Sequence, residues 1–410
     1  MNTTDSSIEI SLRHIKTALI FLPVFFIVMF FDSKSFAPYF FMNLKIIALT
    51  HIFTLGFLLM VIMGASYMLL PVALGVKIAY EKLFYPVYYS YLASLLIFVI
   101  GMYYFISFMI AAGGILLFVS VLIYNLNILL SLKKVKKWDY TAIGIAFAYS
   151  YLFIGLSIGL YLALSFYFKI GFNIFNILQD HIYVMFTGFA IMLFMAISYR
   201  LLPMFYMTKT PGGLYWKSDL IAVNAGILSI LASSFFRNMS AAYFYLNGAG
   251  GWLLGLGILL YCFIFLNLMI KRLKKKLDIT TFYLFAGIAL LIFATFTGLF
   301  FNMSGWIHGA FFVYYLLGFT ALFGFAGMVI IGFLHKIYPF LISLKVFEKA
   351  KKGAYGKLFS DLKNKYFEYI IFILFIAGSV LWIFYLIQIA AAVLFIASVM
   401  LLFHILSIGW

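Results

Sequence analysis

Long apolar runs separated by short polar stretches recur along the whole chain. Each run holds about twenty residues, which is the length of helix that crosses a bilayer core of roughly 30 Å. In lipid, irregular backbone would leave amides unpaired, so these runs are predicted to be helices of an all-α integral membrane protein. We count twelve spans, centred near Val24, Leu58, Leu95, Phe118, Leu156, Met192, Gly226, Leu256, Leu290, Phe323, Phe375 and Phe395.

The positions of the basic residues decide between twelve spans and eleven. The third and fourth spans are separated by little more than Ser107, so one fused span is the main alternative. With twelve spans, all but four of the 28 Lys and Arg residues fall on one side of the membrane, the exceptions being Lys34, Lys45, Lys169 and Arg237. Because basic loops stay in the cytoplasm, we predict a protein of the cytoplasmic (inner) membrane with both termini inside the cell.

The composition agrees with a membrane solvent. Of the 410 residues, 67% are hydrophobic and only 10% are charged, which lies outside the range of soluble domains. The net charge of +17 comes from short loops beside membrane helices, so it indicates contact with membrane lipid and not with nucleic acid. The single cysteine, Cys262, excludes an intrachain disulfide and a cysteine metal cluster.

One motif occurs three times, in every fourth helix. The second helix contains Gly56-Phe57, Tyr67 and Pro71, the sixth contains Gly188-Phe189, Tyr199 and Pro203, and the tenth contains Gly324-Phe325, His335 and Pro339. In each copy the glycine precedes the proline by fifteen residues. We predict three pseudo-repeated four-helix units, at about 1–137, 138–276 and 277–410. The alternative is that the glycines only allow close packing and the prolines only end their helices.

Three histidines fall in the outer third of these repeated helices. His51 and His181 are predicted to lie roughly 8 to 12 Å below the outer surface at about 1.5 Å per residue, and His308 opens the tenth helix. Histidine is costly inside a bilayer, usually faces a cavity or cofactor, and is the commonest haem ligand. We therefore take His51, His181 and His308 as candidate cofactor-binding residues. The alternative is a hydrogen-bonded core histidine or, for His308, a surface histidine.

The other polar candidates receive structural interpretations. His335 lies beside Lys336 near the lysine-rich end of its helix, and His404 lies near the same end of the twelfth helix. Asp180 directly precedes His181 and either caps its helix or serves as a carboxylate that orients an imidazole or accepts a proton.

With these features the chain resembles subunit I of the haem-copper oxidase family. In that family twelve helices form three arcs of four, and metal ligands come from the second, sixth, seventh and tenth helices. The match is strongest in the second helix, where His51 and Pro71 stand twenty residues apart. The resemblance implies that His51 is an axial ligand of a low-spin haem, with His181 or His308 as its partner.

Several positions depart from the family pattern. In the sixth helix His181 is followed by Tyr183 and Met185, whereas the family often has a tyrosine four residues after its histidine. The seventh helix lacks the family's adjacent pair of histidines. In the tenth helix, residues 317–319 stand where the family has His-x-His. The ligands of a binuclear centre are thus missing, so neither copper nor a complete oxidase is expected. Covalent c-type haem is excluded, since the chain has no Cys-x-x-Cys-His.

Three functions compete. The first is a haem-binding membrane protein in electron transfer or in haem or gas handling, with a possible cytochrome or respiratory-complex partner. The second is a transporter, although transporters more often have two-fold repeats with helices broken at mid-membrane. The third is a non-catalytic subunit of a respiratory complex.

Overall fold

The computed structural model describes residues 3–36, 43–170, 174–304, 311–350 and 365–408. Within these ranges the chain forms helices and turns without a strand. Twelve of the helices are long and apolar enough to cross a membrane, which confirms the predicted count and the all-α membrane class. They are α1 Ser6–Phe31, α2 Leu44–Leu74, α3 Glu81–Tyr103, α4 Ser107–Leu132, α5 Tyr140–Phe168, α6 Asn176–Tyr206, α7 Gly213–Phe236, α8 Ala241–Ile270, α9 Ile279–Phe300, α10 Tyr315–Val346, α11 Lys365–Ile383 and α12 Ile387–Ser407.

The eleven-span alternative is wrong, because a tight turn separates α3 from α4. Phe105 adopts a left-handed conformation with φ of 60°, and the N–H of Ile106 donates to the carbonyl of Gly101 at 2.8 Å. This six-to-one bond satisfies a carbonyl at the helix end. The turn between α11 and α12 repeats the geometry, with Tyr385 at φ 64°.

The three motif prolines lie inside their helices, so the prediction that they end the helices is wrong in detail. The helices continue for three residues beyond Pro71 and Pro203. The helix that contains Pro339 extends past the apolar span given above and ends at Ala350. Proline is tolerated in membrane helices where neighbouring groups satisfy the backbone. Gly75, with φ of 66°, ends α2 and donates its N–H to the carbonyl of Pro71 at 2.9 Å.

Each motif helix contains a π-helical segment of eight residues. The segments are Ile52–Leu59 in α2, Val184–Ile191 in α6 and Thr320–Gly327 in α10. In all three the fifth residue is glycine and the sixth is phenylalanine. Segments of this kind are rare, and they occur frequently at functional sites.

The motif helices α2, α6 and α10 form the centre of the bundle. Their most apolar windows are 72%, 61% and 72% buried, whereas no other span exceeds 56%. The three also contact one another: Phe53 of α2 packs on Phe323 of α10, with ring centroids 5.8 Å apart, and Phe194 of α6 packs on Phe325 of α10 at 5.2 Å. The remaining helices surround them, and α12 packs on α1. The motif histidines are therefore carried by the innermost helices.

Candidate functional site

His51 is the last residue before the π segment of α2. Its Nδ1 lies 2.7 Å from the carbonyl oxygen of Ile47. A carbonyl only accepts, so Nδ1 carries the proton and, in the neutral ring, Nε2 carries the lone pair. The imidazole packs edge-to-face with the ring of Phe98 in α3, and the two ring centroids lie 5.2 Å apart. This arrangement fixes the imidazole and leaves the nitrogen that commonly binds metals as a potential ligand.

His181 lies three residues before the π segment of α6 and is held by the neighbouring helix. Its Nδ1 lies 2.9 Å from the carbonyl oxygen of Gly155 in α5. The ring packs on Gly159, where a Cβ atom would stand 2.9 Å from the Cε1 of His181. A glycine is therefore required at 159 for the imidazole to approach α5. As in His51, Nδ1–H donates to a backbone carbonyl and Nε2 keeps the lone pair.

His51 and His181 lie within electrostatic range of each other. Both rings lie deep among protein atoms, yet both residues keep part of their surface accessible. Each ring keeps the lone pair of its Nε2, so each can act as a metal ligand. The third predicted ligand, His308, lies outside the described residues.

His14 is a fully buried histidine with which His51 can be compared. Its Nδ1 also contacts a carbonyl four residues earlier, that of Ile10, at 2.8 Å. However, the side chain is fully buried, with Tyr67 and Tyr88 against the ring. Its Nε2 finds no hydrogen-bond partner among the described residues, and the close packing leaves no approach for a ligand. His14 therefore has the hydrogen bond of His51 without its accessibility.

Asp180 does not orient an imidazole. One carboxylate oxygen lies 3.0 Å from the guanidinium of Arg237, and the other accepts a hydrogen bond of 2.8 Å from Ser234. Ser234 lies at the end of α7 and Arg237 directly follows it, so these contacts join the end of that helix to α6. The interpretation of Asp180 as an orienting carboxylate is wrong, because the backbone carbonyl of Gly155 holds His181 instead.

A second cluster, absent from the predicted sites, lies toward the lysine-rich end of the bundle. His335 of α10, Glu368 of α11 and His404 of α12 each offer one donor atom, and these atoms lie within 4.8 Å of one another. All three residues are buried. The sequence contained one signal of this cluster, since His335 occupies the position that Tyr67 and Tyr199 take in the other two motifs.

No protein-family model matches the chain, and no curated protein matches it. Function is therefore inferred from the side chains and their surroundings.

Proposed function

We propose that the chain is a haem-binding integral membrane protein that acts in electron transfer or in haem or gas handling. The observation that carries the proposal is that His51 and His181, which lie within electrostatic range of each other, both have Nδ1 bound to a backbone carbonyl and Nε2 left with its lone pair. Such carbonyl bonds orient ligating histidines in metalloproteins.

His51 and His181 would hold the haem iron. The bound haem would supply a reversible one-electron redox centre. The chain itself fixes the ligands: α2 supplies the carbonyl of Ile47, α5 supplies that of Gly155, and Gly159 makes room for the second ring. Apolar side chains around the rings, such as Phe98, exclude water from the site.

The three motifs are proposed to be copies of one ancestral four-helix unit, as in oxidase subunit I. Two features support this relationship: the motif spacing is constant, and each π segment has the same register relative to its Gly-Phe pair. The basic loops support an orientation with both termini in the cytoplasm. In that orientation the haem ligands lie in the outer half of the membrane, where a cytochrome partner could exchange electrons with them.

A complete oxidase is not proposed. A binuclear centre needs several nitrogen ligands around a second metal. No histidine of the described part of α7 supplies one, and 317–319 contains none. We therefore assign no copper to the outer site.

The test compares three histidine variants of the full chain, purified in detergent from haem-replete cells. We expect visible haem absorption in the wild type, and its loss or a clear band shift in His51→Ala and His181→Ala. His14→Ala is the matched control, because it also removes a deeply placed histidine bound to a carbonyl four residues earlier. Haem absorption that is equally retained in all three variants would exclude ligation by His51 and His181.

A further inference from the structure

The cluster of His335, Glu368 and His404 is assembled from three separate helices. His335 lies in the second half of α10, Glu368 near the start of α11, and His404 near the end of α12. The side chains of the three are 0%, 4% and 4% exposed. Two imidazoles and one carboxylate, all able to bind a metal ion, therefore lie together in the buried interior of the bundle.

The distances within the cluster suit ligands that share one ion. The Nδ1 of His335 lies 3.5 Å from Oε1 of Glu368, and the Nε2 of His404 lies 3.6 Å from the same oxygen. Hydrogen bonds between such groups are normally about 2.7–3.2 Å long. Two ligands of a tetrahedral zinc ion, each about 2.0–2.1 Å from the metal, stand about 3.3 Å apart. The observed separations are therefore close to those of a metal shell.

The electrostatics also favour a cation. A carboxylate buried in a membrane helix is costly unless a positive charge compensates it. Aromatic rings surround the cluster. The ring of Tyr283 stacks on that of His335, with centroids 5.5 Å apart, and the ring of Phe367 packs on that of His404, with centroids 5.6 Å apart. An aromatic surround of this kind strengthens the attraction between a carboxylate and a bound cation.

At the depth of His335, the other two motif helices carry different side chains. There Tyr67 and Tyr199 stand four residues before the proline, as His335 does. Each is preceded by a serine that shares a hydrogen bond with a buried tyrosine, Ser66 with Tyr149 at 2.9 Å and Ser198 with Tyr261 at 2.8 Å. The first two motifs thus carry hydroxyl groups at this level, and in the second the carboxyl of Asp219 bonds Tyr199. Among the described residues, two imidazoles meet a carboxylate at this level only near the third motif, which indicates a different task.

We propose that His335, Glu368 and His404 form a binding site for a divalent transition-metal ion, with zinc as the best fit. Two imidazoles and one carboxylate are a ligand set of zinc sites in proteins, and three protein ligands leave one position for a small molecule. The site is separate from the haem ligands. Along the helix axis, His335 lies eleven residues after its glycine and His51 five before, which places the two about 24 Å apart in depth at about 1.5 Å per residue.

The experiment measures metal content in the full chain. Protein purified in detergent is treated with chelator, incubated with zinc chloride, desalted and examined by elemental analysis. We expect one zinc per wild-type chain in addition to any haem iron. In His335→Tyr and Glu368→Gln the affinity should fall at least about tenfold. His335→Tyr inserts the residue that the other motifs carry, so it is chosen to preserve packing.

Two controls separate a metal site from general damage. Asp219→Asn changes another fully buried carboxylic acid, which bonds Tyr199, and should leave zinc binding unchanged. If His335→Tyr is not recovered as a folded protein, cobalt(II) replaces zinc in the wild type, where the visible bands of tetrahedral coordination are expected. A wild type that takes up neither zinc nor cobalt would overturn the proposal, as would variants that bind zinc as tightly as the wild type.

Discussion

At the scale of single residues, the proposed haem site depends on small groups beside its two histidines. His181 reaches the carbonyl of Gly155 only because its ring packs directly on Gly159. The sequence indicated His181 as a candidate through its position inside an apolar span. Its partner could not be predicted, because Gly155 belongs to another helix and contributes only a backbone oxygen.

Gly159→Ala should weaken haem binding without removing a ligand. The added Cβ would stand 2.9 Å from Cε1 of His181, so the ring must shift and lose its bond to Gly155. Loss of such an orienting bond commonly costs about tenfold in metal affinity. Haem titration followed by absorbance measures the effect. Gly298→Ala is the control, since no described atom lies within 4 Å of a Cβ there, and wild-type affinity is expected.

Asp278, in the loop before α9, carries a pH-dependent contribution to stability. Burial opposes its ionisation, but the charges of Lys336 and Lys274 and a hydrogen bond from Thr281 outweigh burial and hold the pKa of Asp278 below its ordinary value. A carboxyl with a depressed folded pKa stabilises the native state above its unfolded pKa, near about 4. That contribution is lost as the pH falls through the folded pKa.

Asp278→Asn should therefore lower stability at neutral pH by about 1–2 kcal/mol, because Lys336 loses its partner in a largely buried place. Thermal unfolding in detergent should show the difference from wild type at pH 7 and a smaller one below about pH 4. Lys274→Gln serves as the control, since that more exposed pair is 3.5 Å long and should contribute little. A difference that stays constant with pH would contradict this role of the carboxylate.

The cluster around His335 shows why sequence reasoning missed a site. The tyrosine-to-histidine exchange was visible in the third motif, yet it is a single residue beside a lysine and was interpreted as structural. Its partners Glu368 and His404 lie in helices that no shared spacing links to α10. Only the packing of α10, α11 and α12 brings the three together.

At the scale of elements, the helices could be predicted and their distortions could not. Apolar length defined the twelve spans, because the bilayer thickness sets that length. The constant spacing of glycine and proline revealed the motif, but nothing in Ile52–Leu59 distinguishes a π segment from an α-helix. A π-helical turn contains one residue more than an α-helical turn, so it rotates the part of the helix before it relative to the part after it. In α2 and α6 this rotation changes the direction in which the histidine side chain leaves the helix.

Deletion of Ala190 from the π segment of α6 tests this effect. Removing one residue should restore an α-helix and rotate the His181 half by about 100° relative to the rest. We expect loss of the His181 contribution to the haem spectrum. Deletion of Ala321 from the third segment is the control for general damage, because no proposed ligand among the described residues lies beside it. Equal loss of haem in both deletions would show that only overall stability had changed.

At the scale of the whole molecule, the three motif helices lie at the centre of the bundle, and the other nine spans of the described residues surround them. This arrangement separates two levels of chemistry. Imidazoles with accessible surface lie at one level, and the cluster of His335, Glu368 and His404 lies at another, toward the basic loops. The hydrophobic pattern could predict the number of helices, whereas the convergence of α2, α6 and α10 depends on side-chain packing between distant parts of the chain.

The central claim is that the chain holds haem through His51 and His181. It is tested most directly by a pyridine haemochrome assay on wild-type protein purified from haem-replete cells, with haem expressed per chain. The proposal predicts at least one haem per chain, extractable by acidified organic solvent because no covalent attachment motif exists. A folded, colourless protein with no haem under these conditions would contradict it.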